Sequence, residues 1–156
     1  MPAFSLLAPC SGRVVDSSHH PSPLIRSHWL GHTTCIDVSS NQLLAPTAAK
    51  VDYVSPAGNF IHLLSTQHGR IMLFLGAHEQ STKIPAIQRH ISSGDEVERG
   101  APLLSLNQTL LRQQTNLYNL MAVILQPNIE FDTLALRNSG AVTALESELV
   151  IQKDVS

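Results

Sequence analysis

Short runs of alternating apolar and polar residues, separated by turn residues, constrain the fold of this 156-residue chain most strongly. Residues 33–38 and 50–54 alternate with period two and are rich in β-branched or aromatic side chains, and residues 13–15 follow a Ser-Gly turn. Such runs at intervals of about 8–12 residues are typical of a β-sandwich or barrel. The chain is therefore predicted to be all-β, forming a compact antiparallel sandwich or barrel.

Local turn and helix signals refine this prediction. Residues 60–64 and 71–75 flank a polar segment, which predicts a β-hairpin. Helical spacing is confined to two short stretches, residues 22–29 and 107–116, and Asn107 is the predicted N-cap of the second. Gly94 and Gly100 bracket one short charged strand, and both are expected to have positive φ at tight corners.

Composition limits the domain count and the partners. A chain of this length is expected to form one domain, residues 1–156. Charged residues are only 14% of the chain and the net charge is −2, with no basic block, so nucleic acid is not an expected partner. No apolar run reaches the ~18 residues of a membrane span, which leaves membrane contact only through a partner.

The start of the chain and its two cysteines bear on location. Residues 1–10 lack the basic and long apolar regions of a signal peptide, so we interpret them as mature protein and predict a cytoplasmic location. Cys10 and Cys35 are accordingly predicted to be free thiols, because disulfides are rare in the cytosol.

Several motifs occur in an order that resembles one known family. The first motif, residues 8–15, reads Ala-Pro-Cys-Ser-Gly-Arg-Val-Val. A later motif, Gly-Asp-x-Val-x-x-Gly-x-x-Leu, runs from Gly94 to Leu103. The remaining matches are Gly31, Cys35, Ile36, Ala45, Pro46, Ser139, Gly140 and Val142, followed by a Leu-Val-Ile strand. Together they resemble the glucose-type enzyme IIA domain of the phosphoenolpyruvate-dependent sugar phosphotransferase system. The resemblance implies the barrel-sandwich form of the all-β fold, with one or two short helical turns.

The resemblance also implies a phosphoryl-transfer chemistry. In that family one histidine takes a phosphoryl group from a small phosphocarrier protein and passes it to a cysteine of the sugar permease. A neutral imidazole is the nucleophile in such covalent catalysis. A second histidine on the partner strand of the same hairpin stabilises the phosphoryl oxygens.

In this chain both family histidines are replaced. Anchoring the second strand on Gly76 places Phe74 at the second histidine, and counting back through an ungapped hairpin places Asn59 at the first. An amide nitrogen is not nucleophilic and a phenyl ring has no donor. We therefore expect a degenerate member that is not a working enzyme at this site and that acts as a protein-binding or regulatory module.

Two other interpretations remain open, a relocated phosphosite and a structural β-domain with no surviving phosphotransferase partner. His62 or His78 could be a relocated phosphosite, which would make the chain a working phosphoryl carrier to the permease. A one-residue shift turns a strand side chain to the other face, so His62 is expected to face away from the side of Asn59. Phe60, Met72 and Phe74 are the predicted binding patch, with the phosphocarrier protein or a sugar permease as candidate partners.

Metal and cofactor sites are not expected. His19, His20, His28 and His32 fall close together, but their spacing matches no known zinc-ligand pattern. The His-x-His of lysostaphin-type peptidases is missing, and no lysine has the methionine flanks of a biotinyl carrier. The sequence therefore predicts no cofactor and no metal.

Overall fold

The computed structural model describes residues 5–16, 20, 31–76, 84–113, 120–126, 134–137 and 139–152. These residues form fourteen strands and one short helix. The strands are β1 (Ser5–Leu7), β2 (Gly12–Val15), β3 (His32–Val38), β4 (Gln42–Leu44), β5 (Ala49–Val54), β6 (Phe60–Ser65), β7 (Gly69–Leu75), β8 (Ile87–Arg89), β9 (Glu96–Val97), β10 (Pro102–Leu106), β11 (Leu120–Gln126), β12 (Leu134–Leu136), β13 (Gly140–Val142) and β14 (Glu148–Gln152), and the helix is α1 (Gln108–Gln113).

Three antiparallel sheets make up the fold. The largest has eight strands in the order β13-β2-β3-β11-β7-β6-β5-β9, and two three-stranded sheets have the orders β1-β14-β12 and β4-β10-β8. The prediction of an all-β antiparallel fold is thereby confirmed. Among the described residues, α1 is the one helix, and no helix there has the length and apolar character needed to cross a bilayer.

One main core lies between the sheets. It is filled by the inward-facing side chains of the strands, which are every second residue along β6 and β7. Examples that are each at most 2% exposed are Ile61 and Leu63 of β6, Leu73 and Leu75 of β7, and Leu104 of β10. The alternation follows from the pleat, which sends successive side chains to opposite faces. The other face of the large sheet is consequently presented by even-numbered residues of β6 and β7.

The predicted local signals correspond to real features. Asn107 accepts a hydrogen bond from the Leu110 backbone N–H at 3.1 Å, so it caps α1 as predicted. Gly94 and Gly100 have φ of 96° and 89°, which confirms the two tight corners around β9. The other predicted helical stretch, residues 22–29, lies outside the described residues, as do residues 114–119.

The two Ala-Pro segments make equivalent backbone contacts. Ala8 donates to the Ser147 carbonyl and accepts from the Leu145 N–H, both at 2.8 Å. Ala45 donates to the Ala101 carbonyl and accepts from the Gly100 N–H, both at 2.9 Å. Each segment therefore closes its side of the sandwich by the same exchange of hydrogen bonds.

Close packing of β2 against β3 explains why the opening motif has glycine at position 12. A Cβ atom at Gly12 would collide with the Asp37 backbone carbonyl oxygen on β3. Strand β2 approaches β3 in this way because Gly12 pairs with Val38 at the start of the β2–β3 ladder. A larger residue at Gly12 would force the two strands apart.

Candidate functional site

The β6–β7 hairpin forms as predicted and places Phe60 directly opposite Phe74. Their ring centroids are 4.8 Å apart at an interplanar angle of 86°, an edge-to-face contact that aromatic rings prefer. Both side chains are half-buried and lie on the outer face of the large sheet. The connection between the strands has three residues, 66–68, because Ser65 pairs with Gly69.

Asn59 precedes Phe60 by one residue, and its side chain points toward the interior, to the opposite side of the sheet from the ring of Phe60. Its side chain is 1% exposed, and its Nδ2 donates to the Leu75 carbonyl at 3.1 Å. Its Oδ1 accepts from the Ser55 hydroxyl, also at 3.1 Å. Asn59 therefore ties the entry of the hairpin to the end of β7 and does not share a face with Phe74. The match of Asn59 to the family's first histidine stays a prediction from the sequence.

A row of side chains continues from the aromatic pair across the large sheet. Phe74 pairs with Ala122 of β11, Ala122 with Cys35 of β3, and Cys35 with Val15 of β2. Ala122 and Cys35 are at most 1% exposed and form a second, smaller apolar cluster on this face. The small side chain of Ala122 leaves room for the ring of Phe74 beside it.

Met72, predicted to belong to the binding patch, also lies on this face but is only 4% exposed. It belongs to the same cluster as Cys35 and Ala122, and Phe60 and Phe74 pack against that cluster. Met72 thus lies beneath the surface that the two phenylalanines present, and it is their packing support rather than a contact surface.

The exposed apolar residues of this face were missed from the sequence. Tyr53 is 37% exposed and Leu64 is 36% exposed, and they are the large hydrophobic side chains that stand out as exposed among the described residues. Tyr53 of β5 contacts Phe60, with ring centroids 6.3 Å apart, and Leu64 lies on β6 four residues beyond Phe60, between Lys50 and Arg70. The alternation of β6 could have revealed Leu64, since it is in phase with Phe60. We call Tyr53, Phe60, His62, Leu64 and Phe74 the hairpin face.

His62 lies in the middle of the hairpin face. Its ring centroid is 4.8 Å from that of Phe60 and 6.1 Å from that of Tyr53. The β5–β6 pairing shifts by one residue between Val51 and Tyr53, and this bulge leaves both Asp52 and Tyr53 exposed beside β6. Because Asn59 points inward, His62 does face away from it, as predicted.

The surroundings of His62 lower the pKa of its imidazole. Burial is the largest cause, because it penalises the charged form, and the positive charge of Arg70 acts in the same direction. The carboxylate of Asp52 opposes both effects. The lowered pKa leaves His62 predominantly neutral at pH 7, with a lone pair on one ring nitrogen.

A further histidine, His20, contacts the ring of Phe74 edge-on. Its side chain is 1% exposed, and its ring meets that of Phe74 edge-on with centroids 6.1 Å apart. In the sequence, His20 stands out only as one of four closely spaced histidines, a possible metal ligand. Its place over Phe74 could not be seen from the sequence, because nothing in local spacing links residues 20 and 74.

The other candidate residues do not gather into a site among the described residues. His78, His19 and His28 lie outside those residues. Within them, no three His, Cys, Asp or Glu side chains come close enough together to hold a metal ion. Cys10 and Cys35 are both buried and free, as predicted.

Comparison with known families decides the identity of the chain. The family model for the phosphoenolpyruvate-dependent sugar phosphotransferase system, EIIA 1, matches residues 4–129. The chain belongs to this family. The resemblance to the enzyme IIA family seen in the sequence is thereby confirmed.

Individual relatives agree with that membership. The glucose-specific EIIA component of the phosphotransferase system from Halalkalibacterium halodurans is 24% identical over 151 residues, which are 95% of this chain and 85% of that protein. The protein of the same description from Staphylococcus aureus strain Mu50 is 26% identical over 104 residues, 67% of this chain and 63% of its own length. The solved structure of glucose permease IIA from Mycoplasma capricolum superposes with a TM-score of 0.80 at 19% identity, covering 98% of this chain and 97% of that one. Its fold is the enzyme IIA fold.

Within this enzyme IIA fold, the facing aromatic pair of the hairpin face carries no group for phosphoryl transfer. Phe60 and Phe74 have neither a nucleophilic atom nor a hydrogen-bond donor. Asn59 is buried, and both polar atoms of its amide bond to Ser55 and Leu75. The polar groups on the face that could attack phosphorus are the imidazole of His62 and the phenol hydroxyl of Tyr53.

Proposed function

We propose that this enzyme IIA family member is a protein-binding module that carries no phosphoryl group at the positions of the family's two histidines. It works as a single domain of residues 1–156 in the cytoplasm. It docks on a protein of the sugar phosphotransferase system, either the phosphocarrier protein or a sugar permease. Contact with the membrane comes only through such a partner.

The facing pair of Phe60 and Phe74 is the observation that carries this proposal. Phosphotransfer through a protein needs a nucleophile and a donor that stabilises the phosphoryl oxygens. The facing residues supply neither, and Asn59, the residue predicted to match the family's first histidine, is an amide engaged in the interior. Loss of both functions at one hairpin supports a member that binds without turnover.

The apolar character of the hairpin face supports docking. Half-buried Phe60 contacts both Phe74 and exposed Tyr53, which gives an aromatic surface, and exposed Leu64 lies farther along β6 between the cations Lys50 and Arg70. Protein interfaces are enriched in aromatic residues at their centres, and exposed apolar patches mark such interfaces. His62 adds a neutral polar group within this surface, which suits a partner able to hydrogen-bond.

Calorimetric titration against the phosphocarrier protein and against the soluble domains of a sugar permease tests the docking. The wild-type chain is expected to bind one of them, and Leu64→Glu and Tyr53→Glu are each expected to weaken binding about tenfold or more. Gln67→Glu is the matched control, because it adds the same charge at an exposed residue of the hairpin turn. Absence of binding to both partners, or equal binding by all variants, contradicts the docking proposal.

A labelling experiment tests the absence of phosphotransfer. The chain is incubated with labelled phosphoenolpyruvate, the general phosphotransferase enzyme and the phosphocarrier protein, and acid-labile label on the chain is measured. We expect none above the level of a reaction lacking the phosphocarrier. Stoichiometric acid-labile label would overturn the binding-only proposal.

A working carrier with a relocated histidine is the second candidate function. It is favoured by one observation, the neutral imidazole of His62 on the same face as Phe74, flanked by Asp52 and Arg70. In this case label appears on the chain, His62→Ala removes it, and a chase with the permease discharges it. His78→Ala is made in parallel, and label that survives both substitutions contradicts the relocated-histidine candidate.

A further inference from the structure

A polar groove lies on the β4-β10-β8 sheet, away from the hairpin face. It consists of two clefts with volumes of about 470 and 510 Å³, which share Asn41, Ser105 and Leu106. Such volumes lie within the range of small-molecule sites. Five carboxamides and one central hydroxyl line it, and we call it the amide groove: Asn41, Gln42, Gln88, Asn107, Gln108 and Ser105.

The backbone register explains why these side chains gather. Ser105 of β10 pairs with Gln42 of β4 on one side and with Gln88 of β8 on the other, so the three lie in one row across the sheet. Their neighbours Leu43 and Leu104 are buried, which sends this row to the outer face. Helix α1 begins two residues after β10 and brings its first turn to the end of the row.

Hydrogen bonds hold the polar groups of the groove in place. His90 Nε2 and Ser105 Oγ are 2.6 Å apart, which fixes the central hydroxyl. Gln108 Nε2 donates to the Ser40 carbonyl at 2.7 Å, and Asn107 Oδ1 is fixed by capping α1. Asn107 and Gln108 are each anchored by one atom of the carboxamide, and the Ser105 oxygen keeps bonding capacity beyond its contact with His90, an arrangement that reduces the entropy lost on binding.

One atom of the groove lacks the partner that its burial calls for. The Oε1 of Gln108 is shielded from solvent and accepts no hydrogen bond from the described residues. A buried acceptor without a donor is unfavourable by about 1–3 kcal/mol, and such groups are uncommon in folded proteins. Because this oxygen is closed to solvent, a ligand hydroxyl can reach it only when the Gln108 side chain turns toward the groove.

The lining also restricts the charge of a ligand. The described residues that line the two clefts include no Asp, Glu, Lys, Arg, Phe, Tyr or Trp, and the imidazole of His90 contacts the groove through the Ser105 hydroxyl. An anion would lack a Lys or Arg partner, a cation would lack a carboxylate, and a nucleobase would lack a stacking surface among these residues. Carboxamides and hydroxyls both donate and accept hydrogen bonds, as a neutral polyhydroxylated molecule requires.

We propose that the amide groove binds a neutral polyhydroxylated small molecule, of the chemical class of monosaccharides and sugar alcohols. None of the groove residues belongs to the β6–β7 hairpin, so this site is separate from the docking surface and does not depend on it. The hydroxyl of Ser105 sits at the centre, with carboxamides of three structural elements around it.

Titration by two-dimensional NMR tests the site, with glucose and sorbitol as the probes and inorganic phosphate as a charged comparison. We expect saturable shifts of the Ser105 and Gln108 backbone signals and of the groove side-chain amides. Probe concentrations up to about 50 mM would saturate a site of millimolar affinity. Phosphate is expected to leave these signals unchanged.

Variants separate specific binding from a general solvent effect. Gln88→Leu and Ser105→Val each remove one ligand contact and are expected to weaken binding about tenfold. Gln67→Leu removes an exposed carboxamide outside the groove and is expected to leave the affinity unchanged. Folding of each variant is checked by its thermal unfolding. Shifts that rise linearly without saturation for both probes, or an affinity that Ser105→Val and Gln88→Leu leave unchanged, would overturn the proposal.

Discussion

Phe60 and Phe74 face each other across the β6–β7 hairpin with their ring centroids 4.8 Å apart. Because antiparallel partners share a face, this pair fixes which residues of the hairpin can act together on one surface. Asn59, one position earlier, is turned into the interior and bonds to the Leu75 carbonyl. The hairpin thus presents two facing apolar rings on its outer face, and Asn59 does not share that face.

This register predicts which substitutions could create a phosphoryl acceptor. The double variant Phe60→His/Phe74→His places two imidazoles on facing positions of the outer face, so it is expected to acquire acid-labile label from the phosphocarrier protein. Phe60→His alone lacks the second donor and is expected to label roughly 100-fold more slowly. The double variant Asn59→His/Phe74→His is expected to remain unlabelled, since position 59 faces inward. Labelling of this last variant alone would show that the two working positions are 59 and 74.

Asn59 is predicted to matter for stability. Asn59→Ala removes the amide that joins Ser55 to Leu75 and leaves a buried carbonyl without its donor. The free energy of unfolding, measured in urea, is expected to fall by about 1–3 kcal/mol. Gln67→Ala, at an exposed position of the same hairpin, is the control and is expected to change it by less than about 0.5 kcal/mol. An Asn59→Ala value as small as the control would mean that the amide network does not hold the hairpin.

Much of the fold could be predicted because its signals are local. Gly94 and Gly100 predict tight corners that need positive φ, and Asn107 predicts the start of a helix. The alternation in residues 50–54 predicts a half-buried strand. These signals depend on the conformation of one or a few residues. They therefore survive in a chain whose identity to its relatives is low.

The remaining features depend on contacts between distant residues. Strand β11 is buried on both faces between β3 and β7, so Leu120–Gln126 reads as a continuous apolar run with no alternation to mark it. The pairing of Phe74 with Phe60 depends on the length of the hairpin turn, where one residue changes the facing partner. The contact of His20 with Phe74 joins residues far apart in the chain.

The two thiols are predicted to be unreactive in the folded protein. Burial raises the pKa of Cys35 to about 12, with a further contribution from the negative charge of Asp16, and burial likewise raises the pKa of Cys10. Since the thiolate is the reactive form, neither thiol is expected to react with an aromatic disulfide reagent at pH 8. Both are expected to react fully in urea. Fast reaction of native Cys10→Ser, which retains Cys35, would show that the outer face opens readily.

The titration of His62 gives a prediction with a definite sign. Burial and Arg70 lower its pKa in the folded state relative to the usual value of about 6.5. The unfolded chain therefore binds more protons at this residue, and folding stability falls as the pH drops below about 6.5. The loss ends once the pH is below the folded pKa, because both states are then protonated. At pH 8 the imidazole is neutral in both states and contributes no such dependence.

Nuclear magnetic resonance of the imidazole Cε1 proton measures this pKa directly. Arg70→Gln removes a repelling charge and is expected to raise the pKa of His62, whereas Asp52→Asn removes an attracting charge and is expected to lower it further. His62→Gln should abolish this residue's share of the stability change between pH 8 and pH 5, with Gln67→Ala as the unchanged control. An unchanged pKa of His62 in both the Arg70 and the Asp52 variant would mean that neither charge acts on it. A pKa above 6.5 in the wild type would show that Asp52 outweighs burial, and His62 would then carry a positive charge into the centre of the hairpin face.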